Sequence, residues 1–212
     1  MQNQNTPNLA QTSFPEIFVF FDLEYTAWEG SYARNWSGEN EYREIIQMGA
    51  IQITGIDLEE MAHFIEYVSP VKNPTLSDFI VSFTGITQAD VDAQGITFSD
   101  ALEKLGHFIG DFPAFCWGRD IEVLKENCQL CDIIEPDFLM RMSNIKPILT
   151  PLFESVGIDT KKHTSGTLIS AFTKTREPRR AHDALNDMRN FRDAILELRF
   201  RRPQLNVILA HL

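Results

Sequence analysis

No apolar run in the 212-residue chain approaches the roughly 20 residues that a membrane-spanning helix requires. Residues 1–14 carry no charged side chain, so they lack the basic start of a secretory signal, and they lack its apolar stretch too. They are rich in Asn, Gln and Thr and read as a disordered lead-in. The expected organisation is one domain over residues 15–202 with a tail at 203–212. These absences point to a cytoplasmic protein with no membrane partner. Cysteine is scarce as well: Cys116, Cys128 and Cys131 are the whole set. Cys128 and Cys131 have the spacing of half a zinc or redox site, but no second pair completes it. Buried thiols in a reducing compartment are the simpler reading. Internal repeats and low-complexity segments are missing, which excludes repeat arrays.

What is present describes a core. Apolar residues make up 43% of the chain and sixteen are Phe, enough for one well-packed domain. The net charge of −11 argues against a polyanionic partner, but its distribution reverses that argument. Residues 161–212 hold 11 Lys and Arg against 5 Asp and Glu, whereas the preceding 160 hold 8 against 25. An anion would therefore meet the basic C-terminal part, unless its cations are spent on a salt-bridged helix face.

The most informative stretch is 17–26, I-F-V-F-F-D-L-E-Y-T. Five consecutive apolar residues predict a strand buried on both faces. It runs into Asp22 and Glu24, which a period of two places on one face of the strand end. Like charges at the rim of an apolar core repel and are poorly solvated. Either the turn is solvated, or a hard cation such as Mg²⁺ or Mn²⁺ compensates it.

Strands are also expected over 44–54 and 61–68, joined by a short Gly- and Asp-containing connector, so the sheet opens as an antiparallel meander. Short helices are expected over 77–83 and 87–92. A longer one follows over 100–109 with Ser99 as its cap. Residues 113–117 form a compact strand, and Gly118-Arg119-Asp120 leads into a helix. A strand and a helix divided near Asn144 occupy 138–153, and a short helix occupies 167–172. Residues 27–41, with Trp28 and Trp36, read as a loop whose rings either stack on a base or pack beneath it. The fold class is α/β, one mixed sheet flanked by helices.

In the last helix Ala184, Met188, Phe191, Ile195 and Leu198 make one apolar stripe, and Asp187 lies on it. A carboxylate there is costly unless paired or metal-bound. His182 sits just before the helix.

Asp22, Glu24, Asp120, His182 and Asp187 form a set. The chain resembles the DEDDh 3′→5′ exonucleases of the DnaQ-like, ribonuclease H-like superfamily. D-L-E-Y-T matches the first motif, Asp120 in W-G-R-D the second, and His182-Asp183-Ala184-Leu185-Asn186-Asp187 the third, H-x-A-x-x-D. Residues 44–50 (E-I-I-Q-M-G-A) resemble the family's second strand. Residues 76–87 (L-S-D-F-I-V-S-F-T-G-I-T) are most similar to the subgroup that trims RNA 3′ ends in histone mRNA, ribosomal RNA and small interfering RNA metabolism, with the bacterial KapD-type proteins. The likeness spans residues 16–200. Residues 27–41 have no counterpart in the pattern, and no RNA-binding domain of the kind some animal members carry is read in these 212 residues.

The resemblance implies two Mg²⁺ ions, replaceable by Mn²⁺, about 3.5–4 Å apart. Asp22 would bridge both, Glu24 and Asp187 would hold the nucleophile-side ion, and Asp120 the second. His182 would accept the proton of the attacking water. The implied substrate is a 3′-hydroxyl end of nucleic acid, RNA ahead of single-stranded DNA, with nucleoside 5′-monophosphate as product. A catalytically silent RNA-binding member is the alternative from another class. Leu23 and Thr26 are candidates for contacting the terminal nucleotide. Lys174, Arg176, Arg179 and Arg180, packed into a Pro-broken segment ending at His182, are candidates for the phosphate backbone.

Overall fold

The computed structural model describes residues 16–55, 57–172 and 178–201. The segments 1–14 and 203–212 lie outside them. β1 (Ile17–Tyr25) pairs antiparallel with β2 (Ile45–Thr54), and β2 pairs antiparallel with β3 (Glu60–Tyr67). β4 (Ala114–Cys116) runs parallel to β1, and β5 (Met142–Asn144) parallel to β4. The five-stranded sheet has the order β3-β2-β1-β4-β5, which puts β1 at its centre.

The central strand is buried on both faces because its two side-chain rows feed two cores. Phe18 and Phe20 pack with Ile51 and Ile53 on one face. Val19, Phe21 and Leu23 pack with Met48 and Ala50 on the other. The second face is covered by α4 (Phe98–Ile109) and α5 (Asp120–Leu130). The first face carries α6 (Lys146–Glu154), the 3₁₀ turn Ser165–Ala171 and α7 (Ala184–Arg201), whose Phe191 lies 4.9 Å from Phe20. By the same alternation Asp22 and Glu24 face α7.

Residues 27–43 and 69–97 form a third layer at the end of β1. It contains α1 (Ser31–Arg34), α2 (Asp78–Thr84) and α3 (Gln88–Gln94). Trp36 packs inside this layer: its indole N–H donates to the Thr26 carbonyl at 2.9 Å, and its ring meets Tyr25 and Tyr32.

Some boundaries differ from expectation. α4 is capped by Thr97, not Ser99, because the Thr97 hydroxyl accepts the Asp100 N–H at 3.1 Å. Residues 137–141 form a 3₁₀ turn, so the strand expected from 138 begins only at Met142, and the short helix expected over 167–172 is a 3₁₀ helix over Ser165–Ala171. Cys116 and Cys128 are buried, Cys131 is partly buried, and all three thiols are free. Among the described residues, no helix is long and apolar enough to cross a membrane.

Candidate active site

The end of β1 and the start of α7 are brought together by a residue with no side chain. Gly49 lies opposite Asp22 in the β1–β2 register. A Cβ on Gly49 would fall 2.4 Å from the Ala184 carbonyl carbon and the Leu185 nitrogen, so only glycine lets α7 approach the sheet this closely. Beside it Gln47, fully buried and opposite Glu24, accepts the Ala184 N–H at 2.8 Å and donates to Asp183 at 3.3 Å. Asp183 in turn caps the helix by accepting the Asn186 N–H at 2.9 Å.

Four carboxylates meet in the resulting cleft, which has a volume of about 310 Å³. Asp22, Glu24, Asp120 and Asp187 are between 2% and 8% exposed. Burial raises the pKa of Asp22 well above the usual carboxylate range, and the charges of Asp120, Asp187 and Glu24 add to it. Glu24 is raised likewise, by burial and then by Asp187 and Asp120. Burial pushes Asp187 up to about 7 and Asp120 to about 6. Four buried acids, three of them raised further by neighbouring carboxylates, are a cation site by their chemistry. Ligand atoms of Glu24, Asp187 and His182 lie within 4.8 Å of one another.

His182 is half-buried with a φ of 63°, an uncommon conformation for a non-glycine residue. Its backbone N–H donates to Asp187 Oδ1 at 3.0 Å, which ties the left-handed turn to the cluster. Burial, and then the nearby Arg180 charge, lower its pKa. The five residues that the sequence groups together are therefore neighbours in space.

The flanking candidates divide. Leu23 is buried beside the carboxylates and lines the cleft. Thr26 does not reach it, a correction to its expected role: its hydroxyl donates to the Tyr42 carbonyl at 2.6 Å and accepts the Glu44 N–H at 3.0 Å. Lys174 and Arg176 lie outside the described residues. Arg179 is engaged by Asp193 at 2.8 Å. The Arg180 guanidinium lies against Gly85, in the space a Cβ there would fill. Among the described residues, the Lys and Arg side chains that line the cleft are Arg119 and Lys146, the latter 5.5 Å from the Trp117 ring centre.

Sequence reasoning places a short helix over 167–172 but misses that its first residues close the site. The Ser165 hydroxyl reaches Asp22 Oδ1 at 3.3 Å, and a Cβ on Gly166 would sit 2.1 Å from Asp187 Oδ1. The adjacent pair Ser165-Gly166, small residues in a segment rich in Thr and Ser, is the signal available. Phe83 and His163 also line the cleft without a motif to announce them.

A sheet with buried acids gathered at its strand ends is the arrangement of a phosphoryl-transfer nuclease. The exonuclease family model RNase_T matches residues 19–193, and the chain belongs to that family. It is 36% identical over 121 residues to the probable 3′-5′ exonuclease KapD of Bacillus subtilis (strain 168), covering 56% of each chain. It is 38% identical over 135 residues to the 3′-5′ exonuclease eri1 of Schizosaccharomyces pombe, covering 64% of this chain and 40% of that one. The matches thus span about half the length of these curated relatives. The fold is shared with the nuclease domain of 3′hExo, a DEDDh family member bound to rAMP. That match has a TM-score of 0.71 at 22% identity, over 91% of this chain and 96% of that one. Cell-death related nuclease 4 gives a TM-score of 0.73 at 22% identity, over 91% and 66%.

Proposed function

We propose that this protein is a metal-dependent 3′→5′ exonuclease that releases nucleoside 5′-monophosphates from the 3′-hydroxyl end of RNA. The observation that carries this reading is the gathering of four buried carboxylates and His182 in one open cleft, with Glu24 and Asp187 nearest the imidazole. A binding module gains nothing from such a cluster, whereas a phosphodiesterase needs it. The names of the relatives support an exonuclease, and the 3′-5′ exoribonuclease 1 of Rattus norvegicus and the rAMP bound to 3′hExo favour RNA.

Asp22, Glu24, Asp120 and Asp187 would hold Mg²⁺, two ions by family resemblance, with Mn²⁺ as a substitute. The bound cation supplies neutralisation of the charge that builds on the phosphate during attack. His182 takes the proton of the attacking water on a ring nitrogen. Its lowered pKa keeps the imidazole neutral and ready to accept near pH 7. Asp187 fixes the His182 backbone, Leu23 lines the nucleotide's place, and Arg119 and Lys146 face the strand's phosphates from the cleft walls.

The test is a time course on end-labelled RNA and DNA, single- and double-stranded, with 3′-hydroxyl or 3′-phosphate ends. Expected is stepwise loss of 3′ nucleotides from RNA with a 3′-hydroxyl, stopped by EDTA. Internal cleavage, or undiminished activity in EDTA, would overturn the assignment. Binding without shortening would mark a silent RNA-binding protein.

A further inference from the structure

Beyond the cleft lies a second cavity, of about 410 Å³, between the 35–43 segment and α5. Asn35, Trp36, Tyr42, Arg43, Arg119 and Gln129 are among its walls. Arg119 lines this cavity and the catalytic cleft alike, so the two are neighbours across one side chain. That side chain is oriented from both sides: it donates to Asn35 Oδ1 at 2.7 Å and to Glu122 Oε2 at 2.6 Å.

Arg43 is the unusual member. It is only 7% exposed. Its Nε donates to Glu126 at 2.8 Å, its Nη2 completes the fork on the same carboxylate, and its plane lies 5.5 Å from the Trp36 ring centre. Its Nη1 finds no hydrogen-bond partner among the described residues. A buried guanidinium donor without an acceptor is costly, and it marks a place where an acceptor belongs.

The charges say which kind of acceptor. Inside the cavity Arg43 is already balanced by Glu126, while Arg119, in an exposed pair with Glu122, stands at the rim towards the cleft. The cavity therefore offers donors, acceptors and aromatic surface without excess positive charge, which suits a base edge better than a phosphate. Nucleobases present ring nitrogens and carbonyl oxygens that a guanidinium N–H can meet. A strand whose 3′ residue lies at the carboxylates must leave the cleft towards its 5′ side, and Arg119 stands at the boundary between the two spaces.

We propose that this cavity is a second nucleotide subsite, which takes the base of a residue upstream of the scissile bond, with Arg43 reading its edge and Arg119 guiding the connecting backbone. The subsite rests on the exonuclease reading above. It gives residues 27–43 a role in holding the substrate.

The experiment compares the p-nitrophenyl ester of uridine 5′-monophosphate, which fills the cleft alone, with oligo(A) of two to six residues. Wild type should show a step in kcat/KM of at least about tenfold as the upstream residue is added, in line with one good base contact. The step should collapse in Arg43→Gln. It should also collapse in Gln129→Trp, which fills the cavity from an exposed helix position and leaves the core packing alone. The readout is the ratio of oligonucleotide to ester efficiency, so a general loss of active protein cancels. A length step that is absent in wild type, or that survives both substitutions, overturns the subsite and leaves the exonuclease intact. Failure to hydrolyse the ester and every RNA overturns the exonuclease reading, and the subsite with it.

Discussion

The imidazole of His182 lies on the phenyl ring of Phe83, with centroids 3.8 Å apart and planes inclined by 32°. Phe79 stacks behind at 5.6 Å, and Tyr32 approaches the same ring at 6.0 Å. The proposed general base thus rests on an aromatic floor supplied by α2 and residues 27–41. Phe83→Leu keeps apolar bulk but removes the flat surface. It should lower kcat by about 10–10²-fold, the scale of a modest misplacement, while His182→Ala costs about 10²–10⁴-fold. If Phe83 acts through His182, the double variant is no slower than His182→Ala alone. A further tenfold loss in the double variant would instead put Phe83 on the substrate.

Asp187 gives a stability prediction with a definite sign. Its folded pKa of about 7 is raised by burial, against about 3.9 in an unfolded chain. The folded state therefore holds the extra proton, and this group's contribution is full below pH 4 and is lost as pH rises through 7. In EDTA, Asp187→Asn should match wild type near pH 4 and exceed its Tm above pH 7, by about 2–4 °C for each kcal/mol relieved. Added Mg²⁺ should raise the wild-type Tm and leave the variant's nearly unchanged. Equal melting curves at pH 8 without metal would contradict this account of the cluster.

Gly166→Ala tests the 3₁₀ turn. Its Cβ would collide with the Asp187 carboxylate, 2.1 Å from Oδ1, and the clash lies inside the proposed metal site. Turnover should fall by at least about 10²-fold, and the Mg²⁺-dependent rise in Tm should shrink with it. An active variant with normal metal stabilisation would show that the turn yields freely.

Arg179 and Arg180, adjacent in sequence, should separate in salt titrations of RNA binding. Arg179 is tied to buried Asp193, so Arg179→Ala should lower Tm and leave the salt slope alone. Arg180 is exposed, and Arg180→Ala should flatten the slope by about 0.7, the value for one lost phosphate contact on a single strand. The reverse pattern would exchange their roles.

The sheet and the acid cluster are legible in the sequence because both are written in short periods. Unbroken apolar runs carry β1 and most of β2, alternation carries β3, and the four-three stripe of α7 places Asp187 among core residues. Long-range closeness has no such period. Nothing local tells that Gly49 receives Ala184, that Thr26 turns to Tyr42, or that Trp36 packs under its own loop. Charge patterning misleads for a related reason. The basic C-terminal part is drawn into ion pairs, with Arg189 and Arg192 both on Glu60 and Arg179 on Asp193, so fewer of its cations face a substrate than the count suggests.

The close seat of α7 on Gly49 also sets a time order during synthesis. Asp22 and Glu24 leave the ribosome early, but Asp187, which completes their cluster, comes more than 160 positions later, on the helix seated against Gly49 of β2. The proposed metal site is therefore complete only once α7 has been made and can fold down onto the sheet.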